Sequence, residues 1–332
     1  MSSTLTVKIE RAISELRRGG KLVISDIASG TSVLLLASEL IEKNTVDELS
    51  KICLSRPSII ISQNRSKAIG IEEAKGPCSI LIKNNWEVND ILSLCMPLTN
   101  HRIPKIDGVL PESDDGIVSS CILILRQSRL LPAGLMTIIS NVVIDQINKW
   151  AFDKNLIHVD TSDIKSYEKQ SASSLFMSVK AKVPIQHSEN CDIIIFRPKD
   201  GGNEHFCLVF GKSRTLKNDQ ALVRIHSQCI TGDVLDSLKC DCGQQLKQSI
   251  KLMAKADEGI LIYLAQEGRD IGLLNKLRAY SLQGAAFYEH GCGAASGWYD
   301  QSVGTWRAVS ADALYYGLLH HRGDVDLGIS SL

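Results

Sequence analysis

The alternation of apolar and polar residues over the first 150 positions predicts an α/β domain. Apolar side chains recur on one helical face from Ile9 to Leu16, and Gly19 follows where that helix should end. The segment 117–126 fits a strand or a helix by periodicity alone, and 130–139 is a further apolar stretch. Short apolar runs bounded by polar or turn residues predict buried strands. These strands are expected at 21–25, 58–62 and 79–83.

A second pattern begins near Val179 and predicts a second unit with its own sheet. Two strands joined by a Pro- and Gly-containing turn come first, and a third strand leads into a cysteine-rich segment. An amphipathic helix then ends near Asp257, and a strand, a loop and another helix follow. The strands are expected at 192–197, 205–211, 221–226 and 260–264, and the last helix from Leu273.

The predicted fold class is therefore α/β with mixed (α+β) sheets in two domains. Residues 160–178 are polar and rich in Ser and Lys, so we expect a linker or an exposed connection there. The expected organisation is a companion domain at 1–159, the linker at 160–178, a second domain at 179–283 and a tail at 284–332.

Composition narrows the class of protein. The chain has 332 residues, 44% apolar and 22% charged, which suits two globular domains. Its 37 basic and 37 acidic residues cancel, so no global field would recruit nucleic acid or an anionic membrane. The polar start and the lack of long apolar runs predict neither a signal peptide nor a membrane span. Ten cysteines without a secretory signal indicate a reducing, cytoplasmic location.

Three of the cysteines, Cys229, Cys240 and Cys242, follow a C-x10-C-x-C spacing. A zinc ion with three protein ligands keeps a fourth position open for water, which is the catalytic arrangement. If 240–242 is extended, both side chains there point the same way. Two alternatives remain open: the thiols are merely buried neighbours, or His226 is a fourth ligand and the zinc is structural.

The segment Gln266–Gly272 lies in a predicted strand-to-helix loop. Its glycines allow backbone N–H groups to approach a ligand, and Arg269 offers a cation for a phosphate or a purine edge. Alone, this pattern is equally typical of a turn with a solvated arginine. Beside the cysteine cluster, it predicts a nucleotide-binding edge.

These motifs together resemble GTP cyclohydrolase II, the enzyme that commits GTP to riboflavin biosynthesis. The resemblance is carried by 224–233, 237–243 and 266–280, and it runs from about Val179 to Gln283. It implies that Cys229, Cys240 and Cys242 bind Zn²⁺. Gln228 stands where the family usually has glutamate. The implied GTP-contacting residues are Arg224, Ile225, His226, Ser227, Gln228, Gln245, Glu267, Gly268 and Arg269.

The resemblance also implies the reaction. Hydroxide generated at zinc would open the imidazole ring of guanine, and a second hydrolysis would release formate. Pyrophosphate would leave with Mg²⁺ assisting, and the product would be a diaminopyrimidine ribosylamino phosphate. GTP is then the small-molecule partner, without nucleic acid or membrane, and a homodimer is the candidate assembly.

The last 49 residues, 284–332, differ in composition from the rest. They contain no lysine and one isoleucine, yet eight of the 24 glycines and four of the seven tyrosines. The family's Asp-x-Arg pair and its phosphate-binding lysine are not found there at matching spacing. We therefore assign no general base or nucleophile, and a homologue that binds zinc and nucleotide without turnover is the alternative. A shifted reading frame after Gln283 would explain both the change in composition and the absence of the family's later motifs. The candidates considered and set aside are Asp300, Arg307, Asp312, His320 and His321.

The N-terminal region is faintly similar to dihydroxybutanone phosphate synthase, through 11–19 and the strand that follows. That enzyme binds magnesium with a dense acidic loop after the strand. The corresponding stretch here, Asp26–Thr31, has one carboxylate, whereas a hard cation needs several oxygen ligands. We therefore expect a non-catalytic companion domain.

Overall fold

The computed structural model describes residues 2–71, 74–97, 102–111, 116–211 and 222–283. The chain divides into two compact units. Their described parts are 2–168 with 274–283, and 169–273. Within these ranges, none of the helices combines the length and the apolar character needed to cross a bilayer.

The first unit is a seven-stranded mixed sheet with helices on both faces. The strand order is β5-β4-β3-β6-β2-β1-β7, and only β1 and β7 run parallel. Its elements are α1 (Ser2–Arg17), β1 (Leu22–Asp26), β2 (Thr31–Ala37), α2 (Thr45–Cys53), β3 (Ser58–Ile61), α3 (Gln63–Ala68), β4 (Cys78–Leu81), α4 (Val88–Cys95), β5 (Val109–Pro111), α5 (Ile117–Gln127), β6 (Ala133–Ile138), α6 (Ile147–Asp153), β7 (Ile157–Asp160) and the first part of α7 (Thr161–Ser173).

The predicted amphipathic helix is confirmed as α1, whose apolar face is buried against the sheet and α5. The helix ends before Gly19, which adopts a φ of 98° that side chains rarely tolerate. The three predicted strands are confirmed as β1, β3 and β4. The ambiguous segment 117–126 is the helix α5, and 130–139 contributes β6.

Strand β2 was not predicted, although it lies inside the sheet between β1 and β6. Residues Val33–Leu36 are buried on both faces, so the strand reads as one continuous apolar run rather than as an alternation. Such a run carries no period from which to distinguish strand from helix. Where β2 pairs with β6, a Cβ on Gly134 would lie 2.4 Å from the Leu36 carbonyl oxygen, so only glycine fits there.

The segment 160–178 consists largely of the helix α7, and β8 begins at Phe176. That this segment serves as the linker between the two domains stays a prediction. The segment is polar because most of α7 faces solvent. Ile164 and Tyr167 are nevertheless buried in the core of the first unit. Two apolar anchors about one turn apart, at i and i+3, suffice to dock a short helix, and composition alone does not reveal them.

The second unit is a five-stranded sheet in the order β11-β12-β10-β9-β8. The predicted strands and the amphipathic helix are confirmed, and α9 packs on one face of the sheet through Met253. Its elements are β8 (Phe176–Lys182), β9 (Cys191–Arg197), β10 (His205–Phe210), β11 (Val223–Ser227), α8 (Ile230–Asp233), α9 (Cys242–Ala256), β12 (Gly259–Leu264), a 3-10 turn (Glu267–Asp270) and the start of α10 (Gly272–Gln283).

Strands β11 and β12 are the parallel pair of this sheet, with Ser227 opposite Leu264 at their ends. The carboxyl ends of parallel strands meet at one edge, which is where open α/β sheets bind ligands. The first cysteine of the motif follows β11, and the Gln266–Gly272 loop follows β12. The two segments that the sequence singled out therefore leave the sheet side by side.

Candidate metal centre and substrate-binding residues

The three cysteine sulfurs converge at this edge, all within 4.8 Å of one another. Cys229 precedes α8 as its N-cap, Cys240 lies in the connection to α9, and Cys242 is the first residue of α9. The Sγ atoms of Cys229 and Cys240 are 3.5 Å apart. An extended segment at 240–242 was one possibility considered from the sequence, and the structure differs from it. Asp241 has φ −100° and ψ 7° and leads directly into the helix.

Two glycines allow α8 and α9 to approach closely enough for this convergence. A Cβ on Gly243 would lie 1.9 Å from the carbonyl oxygen of Gly232. A Cβ on Gly232 would in turn lie 3.0 Å from the Cys240 sulfur. Neither glycine has a left-handed backbone, so the requirement is for space rather than for φ. The sequence contained both residues, but their pairing was not predicted.

Two hydrogen-bonding groups of α8 lie next to the Cys229 sulfur. The Gly232 backbone N–H donates to it at 3.3 Å, and the Thr231 hydroxyl lies 3.5 Å away. Such outer contacts stabilise a thiolate and orient it. Burial raises the pKa of the Cys242 thiol, and the neighbouring thiols of Cys229 and Cys240 raise it further. Because only the thiolate binds a metal, a divalent cation is the group that would stabilise three ionised sulfurs here.

Among the described residues, the metal-competent group consists of these three thiols, and His226 does not belong to it. The imidazole Nε2 of His226 instead lies 3.0 Å from a carboxylate oxygen of Asp233, and both side chains are buried. The donor set therefore fits a zinc ion with three thiolate ligands. That these residues hold zinc stays a prediction.

Asp233 also accepts hydrogen bonds from the Tyr263 hydroxyl at 2.8 Å and from the Cys229 backbone N–H at 3.0 Å. Burial alone would raise the pKa of Asp233. The hydrogen bonds from His226, Tyr263 and Cys229 outweigh it, and the pKa is lowered from its ordinary value. The carboxylate is thus kept ionised beside the cysteines. Sequence reasoning missed this residue, although it lies within the motif that carried the resemblance.

Two hydrogen bonds join the Gln266–Gly272 loop to the cysteine segment, and the end of β12 adds a third. Glu267 accepts from the Ile230 backbone N–H at 2.8 Å, and the Gln266 amide donates to the Ser227 hydroxyl at 2.6 Å. The Gln228 backbone N–H donates to the Leu264 carbonyl of β12 at 2.8 Å. Glu267 is buried, so the hydrogen bond between its carboxylate and the Ile230 backbone is shielded from water.

Arg224 lies two residues before His226 on β11, and its side chain contacts α9. Its Nη2 donates to the Gln245 side chain at 2.7 Å, and the Gln245 amide donates to Asp241 at 2.8 Å. The Nε of Arg224 is buried and has no hydrogen-bond partner among the described residues. A buried donor without an acceptor is costly, so this nitrogen is a place where a ligand oxygen would be stabilised. Ile225, the next residue, is about half exposed.

The loop turns sharply through three successive left-handed residues. Gly268, Arg269 and Asp270 have φ values of 61°, 56° and 76°. Glycine adopts this conformation freely, but each of the other two stores strain of about 1–2 kcal/mol. Strained backbone of this kind is common where a loop must hold a ligand.

In the first unit, Asp26 is the one carboxylate of the 26–31 stretch and lies at the end of β1, where it accepts hydrogen bonds from within the unit. Asp26 accepts hydrogen bonds from the Ser29 hydroxyl at 2.7 Å and from the Ala28 backbone N–H at 3.3 Å. Thr161 Oγ1 donates to the same side chain at 3.4 Å. Asp26 thereby closes its own turn. The tail residues set aside in the sequence lie outside the described residues.

Comparisons with known proteins identify the family of this chain. The sequence profile of the family described as GTP cyclohydrolase II matches residues 177–295, which extends past Gln283. The RibBA riboflavin biosynthesis proteins of Phocaeicola vulgatus and Parabacteroides distasonis are 34% and 31% identical over 53% and 65% of this chain. The chain spans 44% and 56% of their length. A solved structure titled RibBX, a two domain 3,4-dihydroxy-2-butanone 4-phosphate synthase from A. baumannii, covers 98% of this chain and 94% of its own, with a TM-score of 0.41 and 12% identity.

The protein named GTP cyclohydrolase-2 from Azospirillum brasilense is 32% identical over 287 residues. That alignment covers 84% of this chain and 72% of the relative, so it extends well beyond the second unit. This alignment, together with the profile match on the residues that build the cysteine cluster, shows that the chain belongs to the GTP cyclohydrolase II family.

Proposed function

We propose that this chain is a zinc-dependent GTP cyclohydrolase II that acts in the first step of riboflavin biosynthesis. The observation that carries the proposal is the convergence of Cys229, Cys240 and Cys242 at the sheet edge that also bears the Gln266–Gly272 loop. A three-thiolate centre leaves one position for water, and the adjoining loop and Arg224 offer donors and a cation for an anionic purine nucleotide.

Zinc bound to the three thiolates would lower the pKa of water to about 7 and so supply a nucleophile for hydrolysis at neutral pH. The chain's own residues would hold the nucleotide beside it. The unpaired Nε of Arg224 is available to a ligand oxygen, and Gln245 keeps that guanidinium in place. Arg269, on the strained turn, adds a cation suited to a phosphate. The proposed products are formate, pyrophosphate and a diaminopyrimidine ribosylamino phosphate, with Mg²⁺ accompanying GTP in the cytoplasm.

A second candidate keeps the zinc and the nucleotide but lacks turnover. It is favoured by the composition of 284–332, which contains no lysine and no family Asp-x-Arg pair at matching spacing. No general base or nucleophile is assigned under either candidate. We also propose that the first unit is a non-catalytic companion, because Asp26 is the one carboxylate of its 26–31 stretch and closes its own turn.

Formate release separates the two candidates. Purified full-length protein is loaded with zinc, and formate is measured after addition of GTP and Mg²⁺. We expect formate with the natural chain and none with Cys242→Ser, which removes one ligand. Gln244→Ala, a neighbouring exposed position, is the matched control and should retain activity. Full zinc occupancy and GTP binding without formate would reject turnover and leave the second candidate.

A further inference from the structure

We propose that Asp233 is a positioning residue of the metal centre: its carboxylate holds the backbone amide of Cys229 and thereby sets where the first thiolate lies. The inference rests on the proposed zinc site and adds a residue that neither the ligand set nor the substrate-binding set includes. Within the part of the chain that the structure describes, the hydrogen bonds of the Asp233 carboxylate go to His226, Tyr263 and the Cys229 N–H rather than to a sulfur. Asp233 acts on Cys229 through the main chain.

Three donors from three different elements meet on this one carboxylate. The Cys229 N–H reaches it at 3.0 Å, His226 Nε2 at 3.0 Å and the Tyr263 hydroxyl at 2.8 Å. His226 belongs to β11 and Tyr263 to β12, and they face each other in the parallel register of the sheet. The two strands therefore position the Asp233 carboxylate, and the carboxylate in turn positions the backbone amide of Cys229.

The support beneath the carboxylate is rigid. Tyr263 stacks on Phe206 of the next strand, with ring centroids 4.6 Å apart and planes 12° from parallel. The side chains of His226 and Asp233 are 3% and 5% exposed, so water does not compete for these hydrogen bonds. A packed aromatic ring and two buried partners leave the Asp233 side chain little rotational freedom.

The next amide along the chain is held in the same way. The Ile230 N–H donates to Glu267 at 2.8 Å, so two successive amides are bound by two carboxylates. The Gly232 N–H then donates to the Cys229 sulfur itself. The peptide that carries the first thiolate is thus fixed on both sides before any metal binds. Preorganisation of this kind raises metal affinity, because the ligand need not be ordered on binding.

The simpler view is that Asp233 only closes the single turn of α8. A closing residue needs one donor from its own turn, whereas Asp233 also binds a donor from each of two strands. The two views differ in what they predict for zinc. If Asp233 only closes the turn, its loss lowers stability with and without metal, and the folded protein binds zinc as before.

The test compares Asp233→Asn with Tyr263→Phe in the full chain. Asp233→Asn removes the charge and one acceptor, whereas Tyr263→Phe removes a donor to the same carboxylate and leaves the Cys229 contact. Zinc affinity is measured by competition with a chromophoric chelator, and the zinc-free melting temperature is recorded for each. The thiolate-to-cobalt charge-transfer band of the Co²⁺-substituted protein reports the ligand geometry.

We expect zinc to bind about 10- to 100-fold more weakly to Asp233→Asn, with an altered cobalt band, and less than about threefold more weakly to Tyr263→Phe. Equal losses in the two variants, or a lower melting temperature with unchanged zinc affinity, would overturn the proposal. If natural protein fails to bind zinc at all, the proposed function fails instead.

A measurement on the natural protein covers the case in which Asp233→Asn does not fold. In zinc-free protein, the Cys229 amide should exchange with solvent at least about 100-fold more slowly than an unprotected amide, because Asp233 already binds it. Rapid exchange of that amide in the zinc-free state would show that the ligand is not held in advance, and would also overturn the proposal.

Discussion

Gly243→Ala should weaken zinc binding although alanine is the better helix former. Gly243 is the second residue of α9, and a glycine-to-alanine change inside a helix ordinarily stabilises it by about 1 kcal/mol. Here the new methyl carbon would lie 1.9 Å from the carbonyl oxygen of Gly232. The local helix preference and the packing between helices therefore predict effects of opposite sign.

The packing effect is the larger one. Ordinary contact begins at 3.4 Å, so α8 and α9 must separate by about 1.5 Å to admit the methyl group. Three sulfurs around one zinc at about 2.3 Å lie about 3.8 Å apart, so a displacement of that size opens the site. Overpacking costs about 1–3 kcal/mol. If the metal-binding arrangement bears this strain, zinc affinity falls about 5- to 150-fold.

Chelator competition at pH 7.5 measures the affinity, and urea unfolding measures the stability of the zinc-free protein. Gln244→Ala is the control, because it tests the same helix at an exposed position and should leave zinc binding unchanged. A Gly243→Ala variant that binds zinc within twofold of the natural protein would refute the argument that the two glycines bring the cysteines together.

Three further predictions concern other parts of the chain. Burial, aided by Lys8, lowers the pKa of His158 from 6.5 to about 4, so the unfolded chain binds the extra proton first. Acidification from pH 6.5 to 4 should then lower the free energy of unfolding by about 1–2 kcal/mol, allowing for partial exposure of the imidazole. Urea unfolding at the two pH values measures this loss, and an equal loss in His158→Asn would contradict the assignment to His158. Gly134→Ala should destabilise the first unit by about 1–3 kcal/mol without changing zinc affinity, and unaltered stability would argue against the close approach of β6 to β2 at Gly134. Gln245→Ala should weaken GTP binding about 2- to 10-fold, measured by calorimetry, because the Arg224 guanidinium loses a hydrogen bond. An unchanged affinity would show that neither Gln245 nor Arg224 belongs to the nucleotide site.

Much of the fold could be predicted where the apolar pattern has a clear period. Helix α1 and the amphipathic α9 follow from their 3.6-residue repeat, and the hairpin of β9 and β10 from two apolar runs around a turn. Strand β2 could not be recognised because Val33–Leu36 is buried on both faces and has no period. The helix α7 was hidden for the opposite reason, since a mostly polar surface helix has the composition of a linker.

The candidate site was predictable to the extent that its residues are neighbours in sequence. The spacing of the three cysteines was visible, and so was the loop that follows β12. What sequence order could not reveal is that Asp233 joins His226 and Tyr263 beneath Cys229, since this depends on the pairing of two strands. The facing of Gly232 and Gly243 likewise depends on how two helices pack.

X-ray absorption at the zinc edge of the loaded, natural protein tests the central claim most directly. The account predicts three sulfur scatterers at about 2.3 Å and one light scatterer from water, with one zinc per chain. Cys240→Ser should reduce the sulfur count to two. A spectrum with a fourth protein ligand such as an imidazole, or protein that retains no zinc, would contradict a three-cysteine centre with an open position.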